Sequence, residues 1–259
     1  MSSKTIGFIG GGRVTRIILN GLRRAGQMPD RVVVSDASDE ALSALKADFP
    51  NVTVAPNSNR RAAASDLVFA ALHPQVLKEN LGQIASSLRP NAVLISLAPK
   101  LAFATLSEGL GGFQRIVRMN PNAPSIVNSG HNPVAFAPGF TPSEKGELKG
   151  IFQHLGACPE VPEEQIEAYA VLTAMGSTYL WFQLYELVDL GKSFGLTTEA
   201  VESGIANMVK GAVSTMFESG LSPMQVMELV PTKPLGEEDE NINNLYRTKL
   251  TAIYAKLKG

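Results

Sequence analysis

The sequence predicts an α/β fold: an open, mostly parallel sheet flanked by helices, followed by a region made of helices alone. Three observations carry that expectation. Short β-branched runs recur from residue 4 to about 155, each separated from the next by a helix-length amphipathic stretch. Three glycines in a row, Gly10–Gly12, follow the first of these runs. Beyond Pro162 the strand punctuation stops. Strands spaced by helices imply βαβ units, and therefore parallel pairing.

Taken in order, TIGFIG (5–10), RVVVSD (31–36), NVTVA (51–55), DLVFAAL (66–72), AVLISLA (92–98) and RIVRM (115–119) read as strands. PVAFAPG (133–139) adds a further strand before a polar helix at about 142–154. The two prolines of CPEVPEE interrupt the pattern, which predicts one domain over 1–158 and a second over 159–259. The second opens on a stretch, 163–194, that reads as a single apolar helix. At 1.5 Å per residue such a helix runs about 45 Å. It is apolar around most of its circumference, which predicts burial against other helices or another subunit, most simply as a homodimer or higher homo-oligomer. Further helices are expected at about 197–219, 222–230 and 238–257.

Bulk properties exclude several classes. The chain has 259 residues and a net charge of −1, so it presents no basic excess for nucleic acid or acidic lipid. Its one cysteine, Cys158, cannot form an internal disulfide, which fits a reducing cytoplasm. A strand begins within a few residues of the N-terminus, leaving no room for a leader. No apolar run approaches the roughly 20 residues of a membrane span. His131 and His154 lack metal-ligand spacing, so no metal is expected. Trp181, Phe182, Tyr185 and Met208, Met216, Met224 and Met227 read as core or interface packing.

The glycine stretch carries the chemistry. Gly10, Gly12 and Thr15 occupy the small-residue positions of a dinucleotide fingerprint, with Gly11, Arg13 and Val14 between them. The first glycine permits a tight turn, and the second lets the backbone approach a pyrophosphate resting on the helix N-terminus. The third position favours Gly or Ala, and Thr15 is bulkier. The second strand ends in Ser35 and Asp36, where a carboxylate can accept from a ribose hydroxyl. Asp36 disfavours a 2′-phosphate and so favours NAD(H), although Arg13, Arg60 or Arg61 can reach a phosphate from neighbouring loops. Ligands of open α/β sheets bind at the carboxyl ends of the strands. There stand Ala71, Leu72, His73 and Pro74 after the fourth strand, Ala98 after the fifth and Asn122 after the sixth. His73 either holds a cofactor or caps its loop.

With these residues in view, the chain resembles the pyrroline-5-carboxylate reductase family. FIGGGRVT (8–15) is similar to the family's Phe-Ile-Gly-x-Gly-Asn-Met-Ala, and AALHPQ (70–75) to Ala-Val-Lys-Pro-Gln, with His73 at the lysine. RMNPNAPSIVNSG (118–130) resembles Arg-x-Met-Pro-Asn-Thr-Pro-Ala-Leu-Val-Gly-x-Gly and is the most specific of the three, matching at Arg118, Pro121, Asn122, Pro124, Val127 and Gly130. Asn57 matches a position facing the adenosine end of the cofactor. The resemblance implies a Rossmann-type NAD(P)H-binding domain joined to an all-helical dimerisation domain, and reduction of a cyclic imine to proline. AVLTAMGSTY (170–179) keeps the family's Gly176 and Tyr179 and places Thr173 at one of two serines. Thr173 is then the candidate catalytic hydroxyl, or an ordinary helix threonine bonding back to its own backbone. The substrate set is Thr173, Gly176, Thr232 and Lys233, the last two in VPTKPLGEEDENI (230–242), where the family's paired threonines are replaced and Glu237, Glu238, Asp239 and Glu240 stand nearby. Three readings follow: a reductase of pyrroline-5-carboxylate, a reductase of another small imino or keto acid, and a non-catalytic dinucleotide-binding protein.

Overall fold

A computed structural model describes residues 4–258. Strands β1 (Ile6–Ile9), β2 (Val32–Asp36), β3 (Thr53–Pro56), β4 (Leu67–Ala70), β5 (Val93–Ser96) and β6 (Ile116–Met119) alternate with helices α1 (Arg13–Arg24), α2 (Asp39–Asp48), α3 (Asn59–Ala63), α4 (Pro74–Ala85) and α5 (Phe103–Gly109). After a short strand β7 (Gly130–His131) come β8 (Val134–Phe136), α6 (Pro142–Phe152) and β9 (Gly156–Ala157), which pairs with β7. The main sheet has the order β3-β2-β1-β4-β5-β6-β8 and is parallel except at β6–β8. This is the Rossmann-type arrangement, and strand order reverses between β1 and β4. A crevice at the carboxyl ends of these two strands is where such sheets hold ligands.

Both faces of the sheet are buried, which is why β1, β4, β5 and β6 are continuous apolar runs instead of alternating ones. On one face Phe8 stacks on Phe69 with ring centroids 4.8 Å apart, and Phe152 of α6 meets Phe69 edge-on at 6.2 Å. On the other, Leu77, Leu81 and Ile84 of α4 cover Val68 and Leu94. Cys158 packs into the first of these cores, and burial pushes its thiol up to about 12. At pH 8 the thiol therefore stays protonated and shielded. A disulfide-exchange reagent should label the folded protein at least about 100-fold more slowly than the urea-unfolded chain. Equal rates would show that Cys158 is not packed as described.

The chain divides into two compact units. One comprises residues 1–175 and 253–259, the other Gly176–Ala252. The division falls later than the 158/159 boundary expected from the prolines. Residues 159–175 are fastened to the sheet: Glu160 bridges to Val134, Asn120 Nδ2 donates to the Ile166 carbonyl, and Arg118 pairs with Glu163 and Glu167.

The long helix expected over 163–194 is also corrected. A 3-10 turn at Glu163–Gln165, a single α-turn α7 (Ile166–Tyr169) and a π-helical segment at Ala170–Ala174 precede the α-helix α8 (Ser177–Ser193), which has 17 residues. Thr173 Oγ1 donates to the Tyr169 carbonyl at 2.9 Å, and Met175 N–H donates to the Ala170 carbonyl, a wider loop than the α-helical one.

The second unit also contains α9 (Thr198–Glu218), α10 (Pro223–Met227) and most of α11 (Asp239–Lys258). Val201 of α9 seats against Gly191 of α8, and Tyr246 of α11 meets Tyr179 of α8 edge-on at 6.0 Å. Those two residues, Gly191 and Val201, are the only buried ones among the described residues of this unit. Trp181, Phe182, Tyr185, Phe217 and Met224 are all exposed, Phe182 by 69% and Phe217 by 77%. No helix among the described residues is long and apolar enough to cross a membrane.

Candidate functional site

The site is built at the carboxyl end of β1. Gly10 leaves the strand at φ 105°, and a Cβ there would lie 2.5 Å from the Ala71 carbonyl oxygen, so no other residue fits without displacing the β4 loop. Its N–H donates to the Ser35 carbonyl at 2.7 Å, which ties the turn to β2. Gly12 is the N-cap of α1, exposed, and a Cβ added to it meets nothing within 4 Å. The first intrahelical bond runs from Arg16 N–H to the Gly12 carbonyl, which leaves the amides of Arg13 and Val14 at the open helix end. Open space beside an uncapped helix N-terminus fits a pyrophosphate.

Thr15 turns out to suit its position. It is fully buried, and its hydroxyl donates to the Gly10 carbonyl at 2.5 Å, so the extra bulk fastens the turn instead of opening it.

Asp36 sits at the end of β2, half-buried, with both carboxylate oxygens engaged. Oδ2 accepts from Gly11 N–H at 2.6 Å and Oδ1 from Ser38 N–H at 2.8 Å. Each oxygen keeps a second lone pair, so a ribose hydroxyl can still donate to it while a phosphate meets a fixed negative charge. Asn57 stands beside it at φ 50°, its N–H on the Asp36 carbonyl at 2.9 Å. Ser35 is fully buried and its hydroxyl donates to Asn59 Oδ1, away from the cradle. Its contribution is the carbonyl that holds Gly10.

Across the reversal point, Ala71 N–H donates to the Ile9 carbonyl, and the chain turns through Leu72 and His73 into α4, with Pro74 at its first position. His73 is the N-cap and makes no side-chain capping bond. Ala98, buried, lies in the loop after β5, in which Lys100 adopts φ 74°.

After β6 the chain enters a buried polar network. Asn122 is buried; its N–H donates to Asn132 Oδ1 at 3.0 Å, its Oδ1 accepts from His131 N–H at 3.0 Å, and its Nδ2 donates to the Thr173 carbonyl at 3.4 Å. Ser125 Oγ also donates to Asn132 Oδ1. Thr173 is thereby brought beside the β6 loop. Its hydroxyl hydrogen is committed to Tyr169, which leaves the oxygen lone pairs as its free capability.

Gly176, Thr232 and Lys233 fall in the second unit. Gly176 is the N-cap of α8. Thr232 is exposed, and Lys233 pairs with Glu228 at 2.8 Å, so its charge is already partnered. The acids 237–240 lie at the start of α11, where negative charge is favoured by the helix dipole.

Sequence reasoning missed Asn132, Glu163 and Glu167. The i,i+4 spacing of the two glutamates beside Pro162 was a visible signal for a shared face; Asn132 offered none.

Several known proteins are similar to this chain. Residues 5–100 match a family model described as NADP oxidoreductase, coenzyme F420-dependent. The pyrroline-5-carboxylate reductase of Escherichia coli (strain K12) is 27% identical over 228 residues, spanning 88% of this chain and 84% of that one. The Methanosarcina acetivorans enzyme of the same name is 25% identical, spanning 98% and 94%. Among solved structures, a pyrroline-5-carboxylate reductase from Coxiella burnetii superposes with a TM-score of 0.75 at 28% identity, covering 100% of both chains. The Plasmodium falciparum pyrroline carboxylate reductase with NADP bound shares the fold at a TM-score of 0.84 and 21% identity, covering 100% and 98%. Over most of its length, and in its glycine cradle and Arg118–Gly130 segment, the chain is similar to proteins named pyrroline-5-carboxylate reductase.

Proposed function

We propose that this protein reduces the C=N bond of 1-pyrroline-5-carboxylate to give proline, using NAD(P)H, as a cytoplasmic homodimer. The observation that carries the reading is the open glycine cradle in a chain similar over most of its length to reductases of that name. Gly10, Gly11, Gly12, Arg13 and Val14 receive the pyrophosphate, and Asp36 and Asn57 the adenosine ribose. Leu72, His73, Pro74 and Ala98 flank the other half of the dinucleotide, while Asn122 holds the segment that carries Thr173.

The bound dinucleotide supplies a hydride. The protein orients it and excludes water. An imine nitrogen is readily protonated, so the chain need not deliver a strong acid. Thr173 Oγ1, its own hydrogen given to Tyr169, accepts from the N–H of the protonated imine and orients its carbon.

Initial rates with racemic 1-pyrroline-5-carboxylate and each of NADH and NADPH test it. Turnover is expected with both, with kcat/KM at least about tenfold higher for NADH, because the fixed Asp36 charge opposes a 2′-phosphate at about 1.4 kcal/mol per decade. Dinucleotide binding without turnover would favour the third reading. That reading, a non-catalytic dinucleotide-binding protein, rests on the departure of residues 230–242 from the family pattern.

A further inference from the structure

The loop between β5 and α5 is held from outside by two carboxylates. Glu167 Oε1 accepts from the Lys100 N–H at 3.2 Å, and Glu163 Oε1 accepts from the Phe103 N–H at 2.6 Å. Both glutamates also accept from the buried guanidinium of Arg118 at the end of β6, Glu163 at 3.1 Å. Glu167 is itself buried, at 6% exposure. Lys100, meanwhile, sits at φ 74°, a conformation that costs a non-glycine residue energy and persists only where its surroundings enforce it.

We propose that Glu167 is a positioning residue for the nicotinamide half of the dinucleotide, holding the Leu97–Ala102 loop in its strained form through Lys100. The inference rests on the reductase reading above. In a doubly wound sheet the half built on β4, β5 and β6 takes the second mononucleotide, while the glycine cradle and Asp36 take the adenosine side. A device acting on the β5 loop therefore bears on one half of the ligand and leaves the other alone. The same glutamate is joined through Arg118 to β6, and through its own helical turn to Thr173, so the cofactor loop and the candidate substrate residue share one support.

The test compares NADH with ADP, which carries only the adenosine and pyrophosphate part. Glu167→Leu, which has no acceptor for the Lys100 N–H, should weaken NADH binding about tenfold in calorimetry, raise KM for NADH by a similar factor with kcat changed less than threefold, and leave ADP affinity unaltered. Lys100→Pro removes the donor of the same bond and forbids positive φ without touching the Arg118 pair. It should reproduce the split, and it serves should Glu167→Leu fold poorly. Adding Lys100→Gly to Glu167→Leu relieves the strain and should restore most of the NADH affinity, which repair of a merely structural ion pair would not do. Equal losses for NADH and ADP, or no rescue by the glycine, would overturn the positioning role. A wild-type protein that binds ADP but gains nothing from the nicotinamide half would overturn it too. Failure to bind either ligand would overturn the reductase reading, and the positioning role with it.

Discussion

Gly12→Val should fold as the wild type does and lose dinucleotide binding. A Cβ at this position meets no atom within 4 Å, and the backbone angles, φ −75° and ψ −160°, are ordinary for any residue, so the substitution strains nothing inside the protein. What the two extra methyls occupy is the space over the N-terminus of α1. A pyrophosphate pushed outward by a side chain's width leaves the amides of Arg13 and Val14. We expect affinity for NADH to fall at least about 100-fold, roughly 2.8 kcal/mol at 1.4 kcal/mol per decade, with the melting temperature within about 2 °C of wild type. Gly10→Ala is the contrast. Its Cβ would press on the Ala71 carbonyl at φ 105°, so that variant should be destabilised as well as impaired. Titration calorimetry beside a thermal melt separates the two. Gly12→Val with wild-type affinity would remove the cradle from the site.

In the proposed homodimer, Trp181→Asp should separate the two copies and abolish activity with the assembly. Trp181 is 45% exposed in the single chain, on a helix that also presents Phe182 and Tyr185, and the unit around it has almost no interior of its own. A surface this apolar calls for a cover. A two-fold partner buries the same stripe on both copies, so one substitution is counted twice. At roughly 3 kcal/mol for each unpaired carboxylate desolvated, the dimer dissociation constant should rise by about four decades. Light scattering at micromolar concentration should report twice the chain mass for the wild type and one chain mass for the variant. A variant that remains dimeric would place the interface elsewhere, and a monomeric wild type would discard it.

How much of this was legible in the sequence depended on the range of the interaction. The β1–α1–β2 unit was readable because strand, turn and helix are local. Asp36 could be placed at the right strand end by spacing alone. Its bond to Gly11 could not, since that required the tertiary closeness of two strands. The helix over 163–194 was misread because composition reports an apolar face and not the hydrogen-bond step; the wider turn at Ala170–Ala174 leaves no mark in hydrophobic periodicity. The boundary at 158 was placed by prolines, whereas what fastens 159–175 to the sheet is Arg118, dozens of residues earlier in the chain. Asn122 was found through its motif, but its partners Asn132 and Thr173 belong to separate segments and no spacing announces them. The start of α6 is closed by a capping box between Thr141 and Glu144, with both of its reciprocal bonds formed.

The arrangement of the two units along the chain bears on how the protein is made. Everything up to Met175, sheet and polar network included, precedes the helical unit, and only the last few residues return to the first unit. During synthesis the sheet can therefore close while the apolar helices are still unborn. At roughly 5–20 residues per second, the helical unit Gly176–Ala252 takes about 4–15 seconds to translate. Were the order reversed, with the helical unit made first, its apolar surface would wait uncovered while the whole sheet was being translated.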